Sequence, residues 1–299
     1  MEVKTGRDPY FPGENLQAHL NIETNKKFNF KELRLELICQ STFRWDVVRR
    51  YSLYSSGSED EDPDEMVHEF FTFKLMELKE VLAGEEEVTK AEIKVSGEVD
   101  IPEDAPPTFA GGWIKTIWTL KAVIDRRLRK DIVAKKQIVV LSKVSPEEVG
   151  GGINIPIDRK DFSGYIKLPR TVFMIGETIE GEIELVPTKN LEIDELKMEM
   201  FNRGTIIPER VLSQPIVSST DFNGTDVYSS PVKVLKSNFK LVEGLKFGLP
   251  FSYRAPSVRR PSCKTEYYQS KWFLRLEFSK RDAPSTIITV PISIVDKID

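Results

Sequence analysis

Two cysteines and two histidines are all that this chain of 299 residues contains. Cys39 and Cys263 are too few for a disulfide scaffold or a CxxC-type zinc site. Neither His19 nor His68 has an obvious catalytic partner, and no G-x-S-x-G elbow occurs among the serines. Catalysis and metal binding therefore lack their usual materials, so a non-enzymatic chain with no cofactor and no metal is expected. Excess positive charge is also absent. Forty-three basic residues against 47 acidic ones leave a net charge of −4, which argues against nucleic acid as the partner. No long apolar run exists either. The longest aliphatic stretch is residues 138–141, far below the ~20 residues that span a bilayer. The opening MEVKTGRDPYFPGENLQ has no apolar core of the kind a secretory leader needs. Free thiols without an export signal predict a cytoplasmic location. On that basis Asn223-Gly224-Thr225 reads as an Asn-Gly turn and not as a glycosylation site.

What is present is a globular composition, 40% hydrophobic and 30% charged, in a chain long enough for two domains at ~150 residues each. An internal repeat gives that division content. The stretch from Tyr10, YFPGENLQAHLNIETNKKFNFKELRLELI, aligns without a gap on FMIGETIEGEIELVPTKNLEIDELKMEMF from Phe173. Gly13-Glu14 falls on Gly176-Glu177, and Leu16, Leu20 and Leu33 fall on Ile179, Ile183 and Leu196. A second block repeats downstream. IWTLKAVID matches KWFLRLEFS, with Trp118 opposite Trp272, and the same register carries Ile138 and Val140 onto Ile292 and Ile294. Just upstream, VDIPEDAP matches FGLPFSYRAP with Pro102 opposite Pro250. The expected units are residues 1–155 and 156–299, joined by a glycine-rich linker around Gly150–Gly152.

Within each unit the chemistry is that of β-strands. Leu33-Arg34-Leu35-Glu36-Leu37, Leu196-Lys197-Met198-Glu199-Met200 and Leu274-Arg275-Leu276-Glu277-Phe278 alternate apolar with charged residues. A period of two puts one face on a core and the other in water. The one helix-like segment is Phe73 to Ala83, with Gly84 placed as a C-terminal cap. The predicted fold is all-β: two tandem immunoglobulin-like antiparallel sandwiches.

Several motifs resemble those of the arrestin-fold family, which includes arrestins, α-arrestins and the Vps26 retromer subunit. Tyr10-Phe11-Pro12-Gly13-Glu14 is similar to a Y-x-P-G-E opening. Gly97-Glu98-Val99-Asp100-Ile101-Pro102 followed by Ala105-Pro106-Pro107-Thr108-Phe109 is similar to the segment ending in P-S-F. Ile175-Gly176-Glu177-Thr178-Ile179-Glu180-Gly181 resembles the G-E-x-I-x-G form in the second half. The resemblance implies arrestin-like sandwiches and an adaptor that binds cytoplasmic tails of membrane proteins or subunits of a trafficking complex. It also leaves open a prokaryotic signalling role of the sporulation-control type and a self-associating structural scaffold. Pro106-Pro107-Thr108-Phe109 lacks the tyrosine of a P-P-x-Y motif, so ligase recruitment is not carried over.

Four features are candidate binding elements. The segment around Arg126, Arg127, Arg129 and Lys130 reads as a basic hairpin tip for anionic headgroups or for an acidic or phosphorylated tail, against the plainer reading of a solvated turn. Arg254, Arg259, Arg260 and Lys264 form a second basic loop with the same two readings. The acidic run from Ser55 to Glu65 is either a solvated loop or an internal competitor that folds back on those cations. Val3-Lys4-Thr5 is predicted as a short edge strand open to strand addition. Trp113, Trp118 and Trp272 read as core aromatics, and both cysteines as buried inert thiols.

Overall fold

Period-two patterning becomes strand almost throughout the chain. A computed structural model describes residues 1–49, 65–88, 92–126, 129–207, 225–281 and 283–299, with backbone alone for 45–49 and 65–69. Arg127, the acidic run up to residue 64, and Asn223-Gly224 lie outside the described residues. The first half contains β1 (Glu2–Thr5), β2 (Asn15–Glu23), β3 (Phe28–Phe30), β4 (Glu32–Arg49), β5 (Glu65–Ala83), β6 (Glu86–Val88), β7 (Glu92–Asp100), β8 (Phe109–Ala110), β9 (Ile114–Asp125), β10 (Ile132–Ile138) and β11 (Lys143–Val144). A one-turn helix, α1 (Pro146–Val149), precedes the second half. That half contains β12 (Ile153–Arg159), β13 (Phe162–Leu168), β14 (Val172–Met174), β15 (Thr178–Pro187), β16 (Leu191–Ile206), β17 (Thr225–Ser229), β18 (Lys233–Leu241), β19 (Phe247–Arg254), β20 (Cys263–Lys264), β21 (Tyr268–Lys280), β22 (Ala283–Val295) and β23 (Lys297–Ile298).

Each half is a two-sheet sandwich. In the first, the sheet β1-β2-β7 faces the sheet β10-β9-β4-β5. In the second, β12-β13-β15-β19 faces β14-β22-β21-β16, with β17 and β18 both on β16. Two apolar cores follow from the alternation. Leu16, Leu35 and Trp118 are fully buried in one, and their repeat partners Ile179, Met198 and Trp272 in the other.

The repeat extends to individual hydrogen bonds. Gly13 and Gly176 both take positive φ, 80° and 74°, where a side chain would be strained. The following glutamates, Glu14 and Glu177, each accept a bond from a backbone N–H three residues earlier, Phe11 and Met174, both at 2.7 Å. Arg7 and Arg170 pair with those glutamates and lie over Tyr10 and Phe173. The indole N–H of Trp118 donates to the Pro106 carbonyl, and that of Trp272 to the Arg260 carbonyl. Pro12, beside the first turn, is buried.

Two sequence expectations are corrected here. Phe73 to Ala83 is the end of strand β5, not a helix. It pairs with β4 from Leu33 outward, and that ladder overrides helical spacing in a segment too short to be a stable helix alone. Pro250 is not the counterpart of Pro102. Ile101 N–H donates to Glu14 C=O at 2.9 Å and Ala255 N–H donates to Glu177 C=O at 2.8 Å, which makes Pro256 the equivalent of Pro102. Pro250 instead sits inside β19 opposite Glu182. An apolar-Pro pair occurring twice within a few residues displaced the match.

The segment between the halves is ordered. Lys143–Val144 forms a parallel ladder with Lys297–Ile298, and the backbone N–H and hydroxyl of Ser142 both donate to Asp296 at 2.8 Å. Val144, Val149, Val172, Val295 and Ile298 pack beneath this strap. β12 starts at Ile153, directly after Gly150–Gly152, so residues 153–155 share a strand with Pro156.

Candidate interaction surfaces and the seam between the halves

The basic tip forms where β9 turns into β10. Arg126 is half-buried, while Arg129 and Lys130 are exposed. The guanidinium of Arg126 donates to the Lys130 carbonyl and its backbone N–H to Asp131, closing the turn. Arg126 and Arg129 meet Lys27 around a cavity of about 420 Å³ whose other wall includes Glu85 and Glu87. The tip is therefore a mixed-charge rim, less basic than its sequence suggests.

The second basic group is dispersed. Arg254 donates to the Gly176 carbonyl and is exposed, as are Arg259 and Lys264. Arg260 is buried and is removed from the anion-binding candidates. Its guanidinium donates to Asp226 Oδ1 at 3.0 Å and lies over the rings of Phe109 and Tyr228. A buried guanidinium already neutralised by a carboxylate has no charge to offer a partner. The two basic groups are also not brought together. Ala110, just before β9, donates to the Arg259 carbonyl, whereas Arg126 follows the other end of β9. Twelve strand residues separate these ends by roughly 40 Å. β4 ends at Arg49, opposite to the Glu32 end that pairs with Asp125. The acidic run itself, up to residue 64, lies outside the described residues.

What patterning did not reveal is the seam. Phe43, Phe109 and Ile114 of the first half pack on Ile206 and Tyr268 of the second. The Tyr268 hydroxyl is within 2.8 Å of Thr116 Oγ1, which in turn is within 2.7 Å of Ser41 Oγ. Burial holds the Tyr268 phenol well above its ordinary pKa. Asp226 is the joint's charged centre. One carboxylate oxygen receives Arg260, and the other accepts the backbone N–H groups of Trp113 and Ile114 at 2.9 and 3.1 Å. A Cβ on Gly111 would stand 2.1 Å from that second oxygen, so the seat requires glycine. Nothing in the local sequence signals this, because the three donors come from positions more than 30 residues away.

Both thiols are inert by environment. Cys39 is buried and its pKa is raised by desolvation. Burial also pushes the half-buried Cys263 up to about 12. Among the described residues no group of three His, Cys, Asp or Glu side chains is placed to hold a metal ion, and no helix is long and apolar enough to cross a membrane.

The edge strand β1 pairs with β2 through Val3↔Leu20 and Lys4↔His19, with Val3 buried and Lys4 exposed. Lys136 of β10 reaches Thr5 at 2.5 Å. The repeat partner of β1 is β13, since Ile166 pairs with Ile183. There the two halves differ. β13 is covered on its outer edge by β12, from Ile153↔Leu168 to Arg159↔Phe162. On the outer edge of β1 no strand pairs among the described residues. β12 carries Pro156, which cannot donate to a further strand; β1 has no proline.

Residues 1–146 match the family model described as arrestin (or S-antigen), N-terminal domain. The first half is an arrestin-family domain. With its tandem second sandwich, the chain has an arrestin-type fold. A comparison of the chain with curated proteins finds no match. Arrestin-family proteins bind protein partners, and their fold is generally non-catalytic.

Proposed function

We propose that this arrestin-type protein is an adaptor that receives an extended segment of a protein partner as an added strand on β1. The partner class is the cytoplasmic tail of a membrane protein or a subunit of a trafficking complex. The observation carrying this reading is the asymmetry of equivalent edges, with β13 capped by the chain's own β12 and β1 without a strand on its outer side among the described residues. An edge strand offers unpaired N–H and C=O groups, and a partner's backbone satisfies them. Glu2 and Lys4, ion-paired at 3.2 Å, put charge on the edge and discourage indiscriminate pairing. Arg129 and Lys130 supply exposed cations for an anionic membrane surface near the recruited tail.

The test is affinity capture from native lysate with the wild-type chain and with Thr5→Pro, which removes one outward-facing edge N–H, since Gly6 and Lys4 direct theirs to β2. Membrane-protein tails or trafficking subunits recovered by the wild type and lost from the variant are expected. The same proteins recovered by both would overturn the reading. The open edge also permits pairing with a second copy, giving a scaffold. Light scattering over a concentration series separates the two, because a scaffold gains mass without any partner.

A further inference from the structure

The two halves differ at a second equivalent place, on the opposite edge of the same sheet. In the second half, Phe239 and Phe247 close the side of the sandwich between β18 and β19. Their rings are stacked at 5.3 Å, and the ammonium of Lys236 lies 5.3 and 5.2 Å from the two centroids. Strand registers identify the same positions in the first half. Leu185 pairs with Phe247 as Ile22 pairs with Ile93. Ile193 pairs with Phe239 as Phe30 pairs with Glu86. Leu196 pairs with Lys236 as Leu33 pairs with Ala83. The plug of two phenylalanines and a lysine is thus replaced by Ile93, Glu86 and Ala83.

All three replacements line a cavity of about 150 Å³, together with Ile22, Leu33 and Ile124. An apolar space of that volume is large enough for one benzene-sized group. At its mouth Glu86 and Glu87 are exposed. Glu87 also faces the neighbouring cavity with Arg126 and Arg129, whereas Glu86 lines only the apolar one.

We infer that this cavity is a docking pocket for a protein partner, taking one aromatic side chain with an adjacent lysine or arginine on Glu86. The second half shows what fits there: an aromatic ring between the sheet edges and a cation above it. In the first half the walls are kept and the plug is missing, while the carboxylate of Glu86 adds a counter-charge for the incoming cation. Buried aromatic anchors with a basic neighbour are the side chains that concentrate binding energy at protein interfaces. The site is separate from the β1 edge and does not depend on strand addition there.

The test is a titration of the full, methyl-labelled chain with N-acetyl-Phe-Lys amide, followed by NMR. N-acetyl-Phe-Glu amide and N-acetyl-Ala-Lys amide serve as comparators. The Phe-Lys probe is expected to shift the methyl signals of Ile22, Ile93 and Ile124. Phe-Glu should bind about five-fold more weakly, and Ala-Lys should leave those methyls unmoved. Ile93→Phe restores the second half's own residue, and should weaken Phe-Lys binding at least ten-fold while raising the thermal midpoint. Equal binding to Ile93→Phe, or no shift at these methyls, overturns the proposal. Should Ile93→Phe fail to fold, the exposed substitution Glu86→Lys decides the matter. It must invert the preference between Phe-Lys and Phe-Glu, and an unchanged preference overturns the assignment equally.

Discussion

Replacing Asp226 by alanine tests the seam directly. The carboxylate is nearly inaccessible, at 2% exposure, and it satisfies Arg260 and two backbone N–H groups at 2.9–3.1 Å. Asp226→Ala therefore leaves a buried guanidinium without its counter-charge and two N–H groups without an acceptor. Breaking a buried pair on one side costs roughly 3–5 kcal/mol, most of it the stranded charge. At about 2–4 °C per kcal/mol for a chain approaching this size, the thermal midpoint should fall by roughly 6–20 °C. The double substitution Asp226→Leu with Arg260→Met removes both charges and should recover more than half of the loss. Urea titration and calorimetry on the wild type, the single variant and the double variant provide the comparison, with exposed Glu92→Gln, whose pair with Lys94 is solvated, as a control that should change stability by less than ~0.5 kcal/mol. Calorimetry should also show the two halves beginning to melt apart in Asp226→Ala. A loss below ~1 kcal/mol, or a double variant no more stable than the single, would refute the stranded-charge argument.

Three further outcomes are expected. Lys189 and Lys280 hold Asp161 down to about 2; a depressed carboxylate stabilises above its unfolded pKa and loses that contribution as pH falls from about 4 to 2. Wild type should therefore be more stable than Asp161→Asn by about 1 kcal/mol at pH 7 after solvent screening, with the difference gone near pH 2 in chemical denaturation. Neither thiol should react with iodoacetamide in the native chain at pH 8, since burial keeps both protonated, and mass spectrometry showing rapid labelling of Cys263 would contradict the packing around it. Gly164→Ala should cost at least ~2 kcal/mol in urea midpoint analysis, because φ is 155° and a Cβ would lie 1.9 Å from the Glu184 carbonyl oxygen; a neutral substitution would show the approach is looser.

Strand patterning was legible wherever one face is buried and the other wet, as in Leu33 to Leu37 and Leu274 to Phe278. It failed at Phe73 to Ala83, where a strand on the sheet edge buries its side chains only partly and the leucines fall at a helix-like spacing. Gly13-Glu14 and Gly176-Glu177 were legible as a repeat because the turn needs a positive φ and its carboxylate closes a bond within three residues. Candidate binding residues were less legible. Arg254, Arg259, Arg260 and Lys264 look alike in a basic run, yet one of them is a buried partner of Asp226.

The sequence by itself determined the duplicated, two-sandwich plan, since alternation and turn chemistry are local and repeat at fixed distances. Tertiary structure alone decided which edges are capped, which side of a sandwich is plugged, and which carboxylate sits at the seam. Those outcomes depend on pairings across tens to hundreds of residues, such as β12 on β13, Ile93 in place of Phe247, and Asp226 on Trp113. The physical reason is that a side chain's charge or bulk acquires its role only from what lies opposite, and opposition across a sheet or seam is set by the fold.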